Sequence, residues 1–386
     1  MSQLFIPLEQ AIFDKLLPAI VGRTLSNHEK RLLELPVRYG GLGIKNPRTC
    51  ADKEYKNSHY VTEELTELIY HQNRSSYANL KHIETKKKIL RNCKEVHLKK
   101  EFIDICESKK TSHHLKRLML LAREKGAGGW LTALPIQSLE YALNKEDFRG
   151  SLCIRYGWRV RNMPSYCVCG ADNSINHSLV CKTGGYTIFR HNIVRDAIAE
   201  ILRETCKDVV IEPELIPIDS DYNFNSSGNI AEKARLDVSS VGLWSPLEKN
   251  FMDIRVFHPN ALSYENRSLE ALYKDHERQK KAAYSSRVNQ IEKSSFTPMV
   301  FTTFGGMGDE CRRALQRAAG KIASKRKENY ADVMGHISTR IRMCILRTVL
   351  MSVRGSRGTS KGTSKPISSV SFNLIPGIED LKDIEN

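Results

Sequence analysis

The chain has 386 residues, of which 40% are hydrophobic and 27% charged, enough for two or three compact domains with apolar cores. Sixty Lys and Arg against 44 Asp and Glu leave a formal net charge of +16, a surplus that favours a polyanionic partner, DNA or RNA, over a basic protein with no such partner. No apolar run reaches the roughly 18 residues of a membrane span, and MSQLFIPLEQ has no charged segment leading into an apolar one, so neither a membrane partner nor a secretory leader is expected.

The first residues read as two helices, Leu4–Leu17 and Asn27–Leu35, the second opened by a capping box of Ser26 and Glu29. Met1 leads straight into this amphipathic stretch, as expected of a fragment without its upstream domains. Leu35-Pro36-Val37-Arg38-Tyr39-Gly40-Gly41-Leu42-Gly43-Ile44 follows, a tight loop between apolar anchors, and Asn46-Pro47 closes it. Residues 48–125 carry Leu and Ile at helical spacing with many basic residues. Lys86-Lys87-Lys88 and Lys99-Lys100 fit a solvated helix face or a set of phosphate contacts. Gly126, Gly128 and Gly129 mark a boundary between a basic helical region, 1–125, and a helical linker with a cysteine cluster, 126–189. Helical patterns recur over 138–160, with Tyr141, Phe148, Tyr156 and Trp158 as anchors, and over Ile193–Thr205. Strand-like runs then fall at Val209–Glu212, Ala234–Ser239, Phe251–Phe257 and Thr297–Thr303, with a helix over Ser268–Glu292 before the last. That order predicts a mixed four-stranded sheet in a 190–305 core. Basic helices follow at 309–328 and 330–353 within a 306–354 segment, and a Ser-, Gly- and Lys-rich tail, 355–386, is expected to be disordered. The fold class is therefore α+β: a helical N-terminal region, a metal knuckle, an α/β core and C-terminal helices.

Seven of the ten cysteines stand apart: Cys50, Cys93, Cys106, Cys153, Cys206, Cys311 and Cys344. That is not a disulfide framework, and a reducing compartment, nuclear or cytoplasmic, fits better. Cys167, Cys169, His177 and Cys181 form C-x-C-x7-H-x3-C. Three thiolates and an imidazole suit tetrahedral zinc, and four protein ligands leave no open position, so the site would be structural. Buried free cysteines beside a surface histidine are the alternative.

Asp237 and Asp253 lie in runs otherwise rich in Val, Ile, Phe and Leu. Carboxylates there are costly unless they bind something. On adjacent strands they would meet at one end of the sheet and hold a hard divalent cation, magnesium or manganese. Asp253-Ile254-Arg255 resembles the D/E-x-K of nucleases with Arg in place of Lys, and Arg stabilises phosphate charge but is a poor base. Lys280, Lys281 or Lys274 on the next helix would supply the lysine, near Tyr284, and Glu200 on the preceding helix would supplement the metal site. The bland alternatives are a strand-end cap for Asp237, an Arg partner for Asp253 and solvated lysines.

Together these residues resemble the C-terminal region of non-LTR retrotransposon polyproteins. The Leu35–Ile44 segment resembles the thumb region that follows the polymerase palm. The cysteine–histidine cluster, Arg190-His191-Asn192 and the acidic runs resemble the CCHC knuckle and restriction-like endonuclease that end site-specific elements. The resemblance implies a PD-(D/E)XK-like core that nicks target DNA. It implies zinc on Cys167, Cys169, His177 and Cys181, and magnesium or manganese on Asp237 and Asp253. Lys280 or Lys281 would act with Tyr284. No aromatic-x-Asp-Asp sequence occurs, so no polymerase activity is expected. A catalytically inactive zinc-containing DNA- or RNA-binding protein is the competing expectation.

Overall fold

The computed structural model describes residues 2–73, 77–218, 229, 231 and 233–355, with only the backbone of 77–79. The expected disordered tail lies outside the described residues, apart from Gly355. The chain forms two compact units, 1–123 and 124–386.

The first unit is helical. Helices α1 (Ile6–Gln10) and α2 (Leu17–Val21) are joined by a π-helical stretch, Ala11–Leu16. Helix α3 (Asn27–Glu34) begins at Ser26, whose hydroxyl accepts the Glu29 N–H while the Glu29 carboxylate accepts the Ser26 N–H. That reciprocal pair satisfies two amides the helix itself leaves open. Leu32, Leu33 and Leu35 are buried beneath the turn that follows. Gly40 sits at φ +91°, and a Cβ on Gly41 would fall 1.8 Å from the Leu35 carbonyl, so both positions require glycine. Helices α4 (Pro47–Tyr70), α5 (Tyr77–Glu107) and α6 (His113–Ala122) complete the unit. Lys86 is neither solvated nor free for phosphate. It is buried, 3.0 Å from Glu64 and 4.8 Å from the centre of the Tyr60 ring.

The second unit is α+β. It runs α7 (Gly129–Thr132), α8 (Lys145–Tyr156), α9 (Ile175–Val180), α10 (Tyr186–Arg203), β1 (Lys207–Ile211), β2 (Val238–Val241), β3 (Lys249–Phe257), α11 (Leu269–Gln290), β4 (Ser295–Thr302), α12 (Asp309–Arg326) and α13 (Tyr330–Arg354). The sheet has four strands in the order β1-β2-β3-β4. The first two pairings are antiparallel, and β3 and β4 are parallel, linked by the α11 crossover. Strand β3 is buried on both faces by strict alternation. Met252 and Ile254 enter a core with α10, α12 and α13, while Phe251 and Phe257 lie in smaller clusters with residues of α11. The main cluster runs from Leu139 to Val353, so residues expected in separate 126–189, 190–305 and 306–354 segments share one core. Strand β2 begins later than the apolar run suggests. Ala234 and Leu236 fold into the α11 side as an irregular segment, leaving Asp237 just ahead of the strand. Among the described residues no helix is long and apolar enough to cross a membrane.

Candidate metal centres

The knuckle is built by local turn chemistry. Cys167 N–H donates to Ala171 O at 2.9 Å and Gly170 N–H to Cys167 O at 2.8 Å, with Gly170 at φ +86°. This tight reversal sets Cys167 and Cys169 side by side. Ser174 then caps α9, its hydroxyl accepting the His177 N–H at 3.0 Å, which fixes the turn bearing His177. Cys181 stands at the C-terminal end of the same short helix. The four ligand atoms of Cys167, Cys169, His177 and Cys181 all lie within 4.8 Å of one another. Cys167 Sγ and Cys181 Sγ are 3.9 Å apart, and Cys169 Sγ and His177 Nε2 are 3.3 Å apart. Zinc–sulfur bonds of about 2.3 Å in a tetrahedron put sulfurs roughly 3.8 Å apart, close to the 3.9 Å between the sulfurs of Cys167 and Cys181. The cysteines carry no disulfide.

The two acids meet where β2 starts beside β3. Asp237 N–H donates to Met252 O at 3.1 Å, which sets its carboxyl close enough to that of Asp253 for each to act on the other. Asp237 also accepts the Ile254 N–H and meets His191 Nε2 at 2.8 Å. Asp253 is 6% exposed, and its Oδ2 lies 2.6 Å from the Lys280 ammonium on α11. Burial pushes the Asp253 carboxyl up to about 7; the Asp237 charge adds to that and Lys280 opposes it. For Asp237 burial acts upward too, but the His191 bond and charge and the Ile254 N–H outweigh it, holding the carboxyl below its usual range. The two acids thus share one buried space that shifts their carboxyls in opposite directions.

The remaining candidates divide. Lys280 is at the acids, but Lys281, one residue on and about 100° around the helix, pairs with Glu310 at 3.0 Å instead. Lys274 pairs with Glu270 on the exposed side of α11. Arg255 follows Asp253 by two positions on the α11 side of β3, half-buried near His276. Tyr284 packs on Phe296 and accepts from Asn229 Nδ2 at 3.3 Å, a packing role. Glu200 is not at the site. It lies nine residues beyond His191 on α10, which turns it half a revolution to the opposite face and about 13 Å along the axis, and it pairs with Arg340 at 2.6 Å. His191 takes the place imagined for it. The sequence held the signal in Arg190-His191-Asn192, whose physical roles only the fold reveals. Arg190, 3% exposed, donates to Leu179 O at 3.0 Å and anchors the knuckle, while its neighbour His191 holds the first acid. A second tie joins knuckle and sheet: His258, just after β3, bonds Asn176 Oδ1 at 3.0 Å and Thr303 Oγ1 at 2.8 Å.

No protein-family model matches the chain, and no curated protein matches it significantly.

Proposed function

We propose that the chain is a metal-dependent DNA endonuclease derived from the C-terminal region of a non-LTR retrotransposon, with a PD-(D/E)XK-like core and a structural zinc knuckle. The observation that carries this reading is the convergence of Asp237, just ahead of β2, Asp253, midway along β3, and Lys280 on α11. Two buried carboxyls in contact suit a divalent cation, since both can ionise together only with positive charge between them. Asp237 and Asp253 would hold magnesium or manganese, which supplies Lewis-acid polarisation of a phosphodiester and an activated water. His191 positions Asp237 through its 2.8 Å contact. Lys280 is the cation placed to stabilise charge developing on the scissile phosphate, a role open to Arg255 as well. Cys167, Cys169, His177 and Cys181 would hold zinc and stiffen the turn that α10 presents to the acids. The net charge of +16 suits DNA or element RNA as partner.

A second reading, an inactive binding scaffold, draws support from Lys280 itself. Its ammonium already sits against Asp253 and can neutralise the acid pair without any metal. Conversion of supercoiled plasmid to nicked circles separates the two. The endonuclease reading expects cutting with Mg2+ or Mn2+ and none with EDTA; DNA binding without metal-dependent cutting would leave only the scaffold.

A further inference from the structure

Two cysteines are exposed, Cys93 on α5 and Cys169 in the knuckle. Of these, Cys169 belongs to the sulfur cluster, its Sγ within 4.8 Å of those of Cys167 and Cys181. Cys167 and Cys181 are buried, 4% and 8% exposed, with their sulfurs 3.9 Å apart. A thiolate is the nucleophile in thiol oxidation, and access decides which thiolate reacts. The knuckle thus presents one reachable sulfur backed by two sheltered ones. The backing matters once the first sulfur is oxidised. A sulfenic acid beside another thiol condenses to a disulfide, whereas one without a neighbour goes on to irreversible acids. The surrounding chain is held by bonds that need no metal. Arg190 donates to Leu179 O at 3.0 Å, His258 meets Asn176 Oδ1 at 3.0 Å, and Asn173 N–H donates to Ser165 O at 2.8 Å.

We propose that Cys169 is an oxidative modification site, where hydrogen peroxide drives a disulfide to Cys167 or Cys181 that replaces two zinc bonds and expels the ion. The inference rests on the zinc reading of the knuckle and is independent of the acid pair. In the first step the Cys169 thiolate attacks one peroxide oxygen: the S–O bond forms, the O–O bond breaks and hydroxide leaves. In the second a neighbouring thiolate attacks that sulfur: the S–S bond forms, the S–O bond breaks and a second hydroxide leaves. The two thiolates together give up two electrons and one peroxide takes them. One thiolate and His177 remain, too few to keep zinc in a four-ligand structural site. Because the Arg190, His258 and Asn173 bonds persist, reduction and fresh zinc rebuild the site.

The test loads the full chain with zinc and exposes it to millimolar hydrogen peroxide. A chromogenic chelator follows released zinc, and peptide mass mapping locates disulfides. Cys93→Ser and Cys169→His are treated alike; the histidine keeps four ligands of ordinary type and removes the exposed sulfur. Wild type and Cys93→Ser should release their zinc in step with a disulfide at Cys169, and dithiothreitol with added zinc should reverse both changes. Cys169→His should release zinc at least about tenfold more slowly. Release from Cys169→His at the wild-type rate, or zinc kept while peroxide oxidises Cys93, would overturn the proposal. Should Cys169→His fail to fold or to bind zinc, the wild type still decides: release without a disulfide at Cys169 overturns the proposal, and release in step with one upholds it. A chain that takes up no zinc ends the zinc reading itself, and this inference with it.

Discussion

Lys280 and Lys281 are chemically alike and adjacent, yet the structure assigns them unlike consequences. Lys280 lies 2.6 Å from Asp253, with side-chain exposures of 21% and 8%. Lys281 lies 3.0 Å from Glu310, at 45% and 24%. An exposed pair of the second kind contributes about 0–1 kcal/mol, so Lys281→Ala should scarcely move stability. Breaking a buried pair costs up to about 3–5 kcal/mol when the orphaned charge must stay ionised. Asp253 can instead take a proton, because burial has already lifted its carboxyl to about 7. The cost of Lys280→Ala should therefore depend on pH. Near pH 5 the folded Asp253 is protonated in wild type and variant, and the difference should be small. Above pH 7 wild-type Asp253 is ionised and paired, whereas the variant keeps its proton, at about 1.4 kcal/mol for each unit by which pH exceeds the wild-type value of about 7, up to the variant's own higher pKa. Urea unfolding at pH 5, 7 and 8.5 measures this. A destabilisation by Lys280→Ala that does not grow with pH, or one equalled by Lys281→Ala, would refute the assigned pairing.

Glu124 supports a related prediction. Its carboxyl is raised to about 7, chiefly by burial, so the folded chain binds more protons than the unfolded one between the ordinary Glu range and pH 7. Stability from this group is fully present below the ordinary Glu range and is lost as pH rises through 7. Glu124→Gln should flatten that decline without changing stability at pH 5, as read by melting temperature against pH. The knuckle should carry one zinc per chain by elemental analysis, and Cys169→Ser should lose it together with several degrees of melting temperature, while Cys93→Ser should change neither. Removing His191 should weaken divalent-ion binding at Asp237 yet leave the zinc content intact, because Arg190 and not His191 anchors the knuckle; a titration with Mn2+ beside zinc analysis would show it.

Much of this arrangement is legible in the sequence. The apolar run Phe251–Phe257 marked β3, and the Thr297–Thr303 run marked β4, because strands buried on both faces tolerate little but apolar residues. The C-x-C-x7-H-x3-C spacing located four ligands that do converge, since a glycine turn and a capped helix fix both pairs locally. What failed depended on direction around a helix. Sequence alone could not say which of Lys280 and Lys281 faces the sheet, nor that Glu200 points at Arg340 half a turn from His191. Lys86 was misread for a similar reason: a lysine run looks solvated until a neighbouring helix supplies Glu64 and Tyr60.

On the proposed reading, Asp237 and Asp253 bind a catalytic divalent ion. Plasmid nicking by wild type and Asp253→Asn, with DNA affinity measured on the same preparations, tests it most directly. The amide keeps the shape of the side chain but removes the charge that would hold the ion. Metal-dependent nicking by wild type is expected, with a loss of at least about a hundredfold in Asp253→Asn and DNA affinity within a few-fold of wild type. Undiminished nicking by Asp253→Asn would contradict it, as would a wild-type chain that binds DNA and cuts it under no metal condition.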